Sequence, residues 1–324
     1  MIESIAIVGA GNMGSGIAQK SAQEGFEVQM IDREKQWVDR GFGIIDDFLQ
    51  EAVQRRIFNS NEVDEIKNRI TGVVGNENVT PSVDLVIEAV FEDFDIKKDV
   101  LSRLDKTCAK STIIATNTST LSVNELANLT TRPESFVGLH WFYHPAKNRL
   151  IEVIPGSSTS EETLSAVVQY CKTLGKVVIV CKDRPGFVVN RFFVPWLNEA
   201  CLLLEEGVAT TSQIDSIACK VFGIGLGPFA LMNLTGSAIA LHSTDYLSEQ
   251  LETDRFRGPT NLRKIVESGE DWEIDSEVDY NQEVERIVRD RLLGTIFAIS
   301  SQIVEEGICS MEDVDRGAKV GLRW

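Results

Sequence analysis

Residues 5–32 read IAIVGAGNMGSGIAQKSAQEGFEVQMID. Ile5-Ala6-Ile7-Val8 is a short apolar run suited to a strand buried on both faces. Gly9-Ala10-Gly11-Asn12-Met13-Gly14 follows at once, and Ile17, Ala18 and Ala22 then recur at helical spacing. Val28, Met30 and Ile31 form a second strand pattern, closed by Asp32 eighteen residues past Gly14. This is the strand, glycine turn, helix, strand and acid order of a dinucleotide site. Gly9 permits the tight turn, Gly11 lets the backbone approach a pyrophosphate, and Gly14 lets the helix lie close to the sheet. The N–H groups at the helix start, around Asn12 and Met13, hold the phosphate charge with the help of the helix dipole. Asp32 can accept hydrogen bonds from both adenine-ribose hydroxyls and would repel a 2′-phosphate, which favours NAD over NADP. Arg33, next in sequence, is the one feature that works the other way.

At 324 residues the chain is long enough for two domains or more. Its net charge of −17 argues against nucleic acid as a partner and requires a local cationic patch for any anionic substrate. Eight of the acids fall between Glu270 and Glu285, where a solvated face is the simplest reading. No apolar run is long enough to span a membrane, and the first strand begins too early to leave room for a signal peptide. The six cysteines are scattered without a CxxC pair, which suits reduced thiols in a cytoplasm rather than a disulfide frame or a metal site.

After Asp32 a long helical pattern runs from Gln36 to Phe58, with Ile44, Ile45, Phe48, Leu49, Ala52 and Val53 on its apolar side and Arg55-Arg56 near its end. A short helix over Glu62–Arg69 leads to a strand at Ile70–Val74, and Asp84–Val90 is the next buried strand. Glu92 lies just past it, where ligands bind in open parallel sheets. Asp95–Lys110 is amphipathic, Thr112–Ala115 is a strand, and Thr116–Thr120 is a polar loop ahead of the capping-box spacing Ser122…Glu125. Phe136–Leu139 and Leu150–Ile154 read as strands around a loop that holds His140 and His144. A helix over Thr163–Leu174 and a strand over Lys176–Val180 complete a doubly wound, Rossmann-type α/β domain over residues 1–183.

From Arg184 the pattern is helical throughout, which predicts an all-α domain. Phe187–Glu206 is long and apolar, and Pro195 should kink it near Val194. Helices follow over Ser212–Val221 and Phe229–Leu247, with a glycine-rich turn between them. Arg191, Glu205-Glu206-Gly207 and Asp215 recur as Arg291, Glu305-Glu306-Gly307 and Asp315, a uniform shift of one hundred residues. We read this as an internal repeat. It divides the helical part into a first copy over 184–285 and a partial second copy over 286–324.

Histidine acid–base chemistry must use His140, His144 or His242. Glu152 sits among apolar neighbours in Leu150–Ile154 and needs a partner. A pair with His140 across the two strands would supply one, either as a structural ion pair or as an oriented base.

These residues resemble the L-3-hydroxyacyl-CoA dehydrogenase family, which includes the 3-hydroxybutyryl-CoA dehydrogenases. The matching motifs are IAIVGAGNMGSGIAQ at 5–19, DLVIEAVFED at 84–93, TNTSTLSV at 116–123, GLHWF at 138–142, LIEVIPG at 150–156, KDRPGFVVNRFFVPWLNEA at 182–200 and GLGPF at 225–229. The resemblance implies an NAD-dependent, reversible oxidation of a short-chain 3-hydroxyacyl-CoA to the 3-oxo compound, as in fatty acid metabolism. It implies that His140 is the general base, that Glu152 orients it, and that Ser119 and Asn190 hydrogen-bond the reacting oxygen. It implies that Glu92, Lys97 and Asn117 contact the cofactor on its nicotinamide side, in a cleft between the domains. Arg55 and Arg56 lie where a CoA-binding cation is expected. The helical domain of such enzymes mediates dimerisation, which implies a homodimer here, or a monomer if the partial repeat covers the dimer face.

Departures from the family pattern are Trp141-Phe142-Tyr143-His144-Pro145 after the histidine, Phe48 in place of a small polar residue, and Asn233 in place of an acid. The rival readings are a relative acting on free hydroxy acids, of the gulonate or carnitine type, and a non-catalytic NAD-binding protein of the crystallin kind. A dehydrogenase of the 3-hydroxyisobutyrate type would need a catalytic lysine on a glycine-rich interdomain helix, and no such segment is present.

Overall fold

The computed structural model describes residues 2–275 and 278–324. Glu277, one of the acids of the 270–285 segment, lies outside the described residues. The chain divides into two compact units, Met1–Asp183 and Arg184–Trp324.

The first unit is an eight-stranded sheet with helices in the connections. β1 is Ser4–Val8, α1 Asn12–Gln23, β2 Glu27–Asp32, α2 Lys35–Gln54, α3 Ser60–Asn68, β3 Ile70–Val74, β4 Leu85–Glu88 and α4 Phe94–Thr107. β5 is Ile113–Thr116, α5 Val123–Ala127, β6 Phe136–Trp141, β7 Leu150–Pro155, α6 Glu161–Thr173 and β8 Val177–Val180. The strand order is β3-β2-β1-β4-β5-β6-β7-β8. Every neighbouring pair is parallel except β6 with β7. The order reverses direction between β1 and β4, which is the switch point where open sheets bind ligands. Apolar runs such as Ile5–Val8 and Leu85–Ile87 are wholly buried, as strands covered on both faces must be. The expected Rossmann-type architecture is borne out.

Three local expectations are corrected. α2 ends at Gln54 rather than Phe58, because the chain turns at Arg56 with φ 59°, outside the helical region. His140 belongs to β6 and not to a loop, since hydrogen bonding to β7 extends the strand to Trp141. The short helix expected over Glu62–Arg69 starts earlier, at Ser60, because Asn59 caps it through a reciprocal capping box with Glu62.

The second unit is helical. α7 is Val189–Glu205, α8 Thr211–Phe222, α9 Pro228–Thr235, α10 Ser237–Gln250, α11 Thr260–Ser268, α12 Gln282–Glu305 and α13 Met311–Arg316, followed by a π turn at Gly317–Leu322. Its core gathers Trp196, Ile214, Phe229, Met232, Leu262, Trp272 and Leu292. Pro195 lies inside α7 without ending it. The helix expected over Phe229–Leu247 is instead two, broken at Gly236 with φ 102° and ψ 118°. Asp215 caps α9, accepting from the N–H groups of Phe229 and Ala230 at 2.8 Å each. No helix among the described residues is long and apolar enough to cross a membrane.

Candidate active site

The glycine turn at the end of β1 is built for a close ligand. A Cβ at Gly14 would fall 1.7 Å from the Gly9 carbonyl oxygen, so α1 packs on the turn at a distance only glycine allows. Gly9 has φ 107°. A Cβ at Gly11 would meet nothing within 4 Å, so that side of the turn is open. Gly11 caps α1 without a side-chain partner, and its first-turn N–H groups are left for an anion. Asp32, at the end of β2, is tied to the same turn: Ala10 N–H donates to Oδ2 at 2.8 Å and Arg33 N–H donates to Oδ1 at 2.7 Å. Its carboxylate is thereby fixed with lone pairs to spare for a ribose diol. The Arg33 guanidinium is 73 % exposed and lies 3.6 Å from Glu34. This donor set and open cradle fit NAD.

Past the ends of β4 and β5 lies a buried charge network. Glu88 and Lys97 are both within 1 % of complete burial, with Nζ 2.7 Å from Glu88 and 3.1 Å from Glu92. Thr116 Oγ1 donates to Glu88 at 2.6 Å, and Val90 N–H donates to it at 2.8 Å. Glu92 accepts from the Ser119 and Thr120 N–H groups at 2.8 and 3.0 Å and from Thr118 Oγ1 at 2.5 Å. Burial opposes its charge, but the Lys97 ammonium and these donors outweigh that and hold Glu92 down at about 2. Glu92 therefore pins the 118–120 loop that carries Ser119. Lys97 is enclosed by the two carboxylates. Glu88 was missed in the sequence, although an acid inside the run Leu85–Ala89 carries the same signal that singled out Glu152.

His140 and Glu152 face each other directly across the antiparallel β6–β7 ladder, with Nδ1 2.6 Å from Oε2. Both are buried. Asn117 Oδ1 accepts from the Trp141 N–H at 2.9 Å and ties the end of β5 to the residue after the histidine. Lys176, unremarked in the sequence, is buried beneath this strand. Its Nζ donates to the Pro145 and Asn148 carbonyls at 2.5 and 2.6 Å and lies 4.7 Å over the Trp141 ring. Burial first, and then Lys20, bring its pKa down to about 7.

His144 stacks on Phe48, with ring centroids 3.8 Å apart. Burial and the nearby Lys147 and Lys176 charges lower it to about 4, so it is neutral at pH 7. Lys147 adds a cation to the end of α2, over the Phe48 ring and 2.9 Å from Glu51, which also pairs with Arg55 at 3.2 Å. Arg55 and Arg56 are exposed. Asn190 lies in the first turn of α7, in the second unit, whereas Ser119, His140 and Glu152 lie in the first.

A glycine cradle with its acid, on a doubly wound sheet that also carries a buried His–Glu pair, defines a dinucleotide-dependent dehydrogenase. Residues 4–184 match the 3-hydroxyacyl-CoA dehydrogenase NAD-binding domain, and residues 186–272 match the C-terminal domain of the same family. The mitochondrial hydroxyacyl-coenzyme A dehydrogenase of Rattus norvegicus is 37 % identical over 241 residues, covering 73 % of this chain and 77 % of that protein. A crystal structure of (S)-3-hydroxybutyryl-CoA dehydrogenase from Ralstonia eutropha shares 34 % identity with a TM-score of 0.79, over 83 % of this chain and 95 % of that one. A 3-hydroxybutyryl-CoA dehydrogenase from Escherichia coli, at 21 % identity, has the same fold over the whole of this chain and 89 % of its own, with a TM-score of 0.92. The chain belongs to the 3-hydroxyacyl-CoA dehydrogenase family and is an NAD-dependent oxidoreductase.

Proposed function

We propose that this protein interconverts a short-chain (S)-3-hydroxyacyl-CoA and its 3-oxoacyl-CoA. The single observation that carries the reading is the buried contact of 2.6 Å between His140 and Glu152, on the sheet that also bears the glycine cradle. With Nδ1 directed at Glu152, proton exchange with a substrate hydroxyl falls to Nε2. Glu152 fixes the tautomer and stabilises the imidazolium formed as His140 takes the proton. Ser119 and Asn190 hydrogen-bond the oxygen as its charge changes. Gly9, Gly11, Asn12, Met13 and Gly14 hold the pyrophosphate and Asp32 the ribose, while Asn117 and the Glu92–Lys97 pair shape the nicotinamide end. NAD supplies the hydride acceptor when bound. Arg55 and Arg56, joined by Lys147, offer the cations that CoA phosphates require in an acidic protein.

A cytoplasmic setting is supported by six cysteines that stand as thiols. Assembly is either a homodimer through the helical unit or a monomer in which the partial repeat takes that face. A relative acting on a free hydroxy acid is the second reading, favoured by Phe48 and His144 stacking beside the cationic end of α2. Turnover of acetoacetyl-CoA with NADH tests the first reading, and turnover of an uncoupled 3-oxo acid tests the second. Replacing His140→Gln should abolish turnover and leave NADH affinity nearly unchanged. Equal loss of both would point to misfolding.

A further inference from the structure

The chain leaves the sheet directly after His140 and Trp141 and rejoins it at Leu150. Neighbouring elements hold this excursion from several sides. On α1, a Cβ at Gly16 would fall 2.9 Å from Pro145 Cδ and 3.2 Å from His144 Cε1, so the helix that starts at the glycine cradle lies against it. On α2, Phe48 stacks on His144 and Glu51 pairs with Lys147 at 2.9 Å. Within the excursion the His144 carbonyl accepts from the Lys147 and Asn148 N–H groups at 2.8 Å each, and His144 Nδ1 accepts from the Ala146 N–H at 3.2 Å.

Lys176, the residue before β8, ties the two ends of the excursion together. Its Nζ donates to the Pro145 and Asn148 carbonyls at 2.5 and 2.6 Å, and its charge lies 4.7 Å over the Trp141 ring. Two of the three ammonium N–H groups are thus spent on carbonyls, and the remaining charge meets an aromatic face. Phe142 lies in the chain between these anchored points. Its ring centroid is 4.5 Å from that of the His140 imidazole, at an interplanar angle of 57°. An apolar side chain of the same length would fill the space of Lys176 without desolvating a charge, so packing alone does not account for an ammonium here.

We propose that Lys176 is a positioning residue for proton transfer at His140, acting through Phe142. Glu152 holds the imidazole at Nδ1, Phe142 bounds the side of the ring, and Lys176 fixes the segment that carries Phe142. Without the ammonium the excursion slackens, Phe142 leaves the ring, and Nε2 moves relative to the substrate hydroxyl. A misplacement of about 1 Å is enough to cost about 10²-fold in rate. The cofactor cradle is made by the first turn of α1 and does not depend on this anchor. The proposal rests on the reading of His140 as the base.

A double-mutant cycle in the full chain tests it, with acetoacetyl-CoA and NADH at pH 6, where Lys176 carries its charge. Lys176→Met should lower kcat about tenfold and leave NADH affinity within about twofold of wild type. Phe142→Ala should lower kcat to a similar extent. The double variant should be no slower than the slower single variant, because both changes release the same contact. A lysine that merely held the fold together would give losses that multiply and would lose NADH affinity along with kcat. Should Lys176→Met fail to fold, Lys176→Gln, which removes the charge and keeps a side-chain donor, enters the same cycle.

A nuclear magnetic resonance signal reads the same coupling without turnover, so this proposal and the dehydrogenase reading fail separately. The ring current of Phe142 displaces the His140 Hε1 resonance, which the loss of that signal in His140→Gln identifies. Phe142→Ala should move the resonance, and Lys176→Met should move it in the same direction by a substantial part of that shift. Losses that multiply in the cycle, or a His140 resonance that Lys176→Met leaves at its wild-type position, would overturn the proposal.

Discussion

Lys176 Nζ stands 4.7 Å above the ring of Trp141, the residue that follows His140 in β6. Its pKa is about 7 in the folded chain against 10.5 when unperturbed. Between these values the unfolded chain holds a proton that the folded chain does not, so this group makes stability rise with pH from about 7 towards 10.5. Below 7 both states are charged and the effect is flat. The slope from one such group reaches about 1.4 kcal/mol per pH unit. Lys176→Met should remove that slope, as urea melts across the interval would show; an identical pH dependence in the variant would exclude it.

Glu152→Gln keeps the shape of the His140 partner but removes its charge and favours the wrong tautomer. We expect kcat to fall roughly 10²- to 10⁴-fold, with NADH affinity within about twofold of wild type. Steady-state kinetics beside a fluorescence titration of NADH separate these quantities. A drop in affinity that matches the drop in kcat would contradict a purely chemical role.

Asp32→Ala removes the carboxylate held by the Ala10 and Arg33 N–H groups. KM for NADH should rise about tenfold or more, the cost of a charge-assisted hydrogen bond. NADPH should become a usable substrate with Arg33 left beside the pocket. The ratio of kcat/KM for the two cofactors is the measurement, and an unchanged ratio would remove Asp32 from the ribose site.

Glu92→Gln weakens the clamp on Thr118, Ser119 and Thr120 and leaves Lys97 with Glu88 alone. We expect kcat to drop about tenfold through misplacement of Ser119. The wild-type clamp has a pH signature as well. With Glu92 lowered to about 2 from 4.5, its contribution is complete above 4.5 and is lost as the pH falls towards 2. Acid unfolding of the variant should therefore be shallower in that window, by circular dichroism, than that of the wild type.

Much of this was legible from residue order alone. Ile5–Asp32 declared a strand, a glycine turn, a helix and an acid because each part has a distinct local signal. Glu152 could be given a partner because a carboxylate amid apolar neighbours demands one. What stayed hidden was set by tertiary contacts or by single backbone angles. Leu231 and Leu234 before Gly236 and Ile239 and Leu241 after it suggest one continuous apolar stripe, and the weight given to that stripe hid the break that Thr235-Gly236-Ser237 makes between α9 and α10, where Gly236 has φ 102°. His140 looked like a loop residue because β6 gains its last turn of pairing only from β7. Lys176 resembled any surface lysine, and its burial depends on carbonyls some thirty residues earlier.

The fit of α1 against its own turn leaves the cradle almost no tolerance. With a Cβ at Gly14 only 1.7 Å from the Gly9 carbonyl oxygen, any side chain there would lever the helix start away from the sheet. A cofactor phosphate would then fall out of reach of the N–H groups it needs, so the bareness of one position sets how closely the whole helix can serve its ligand.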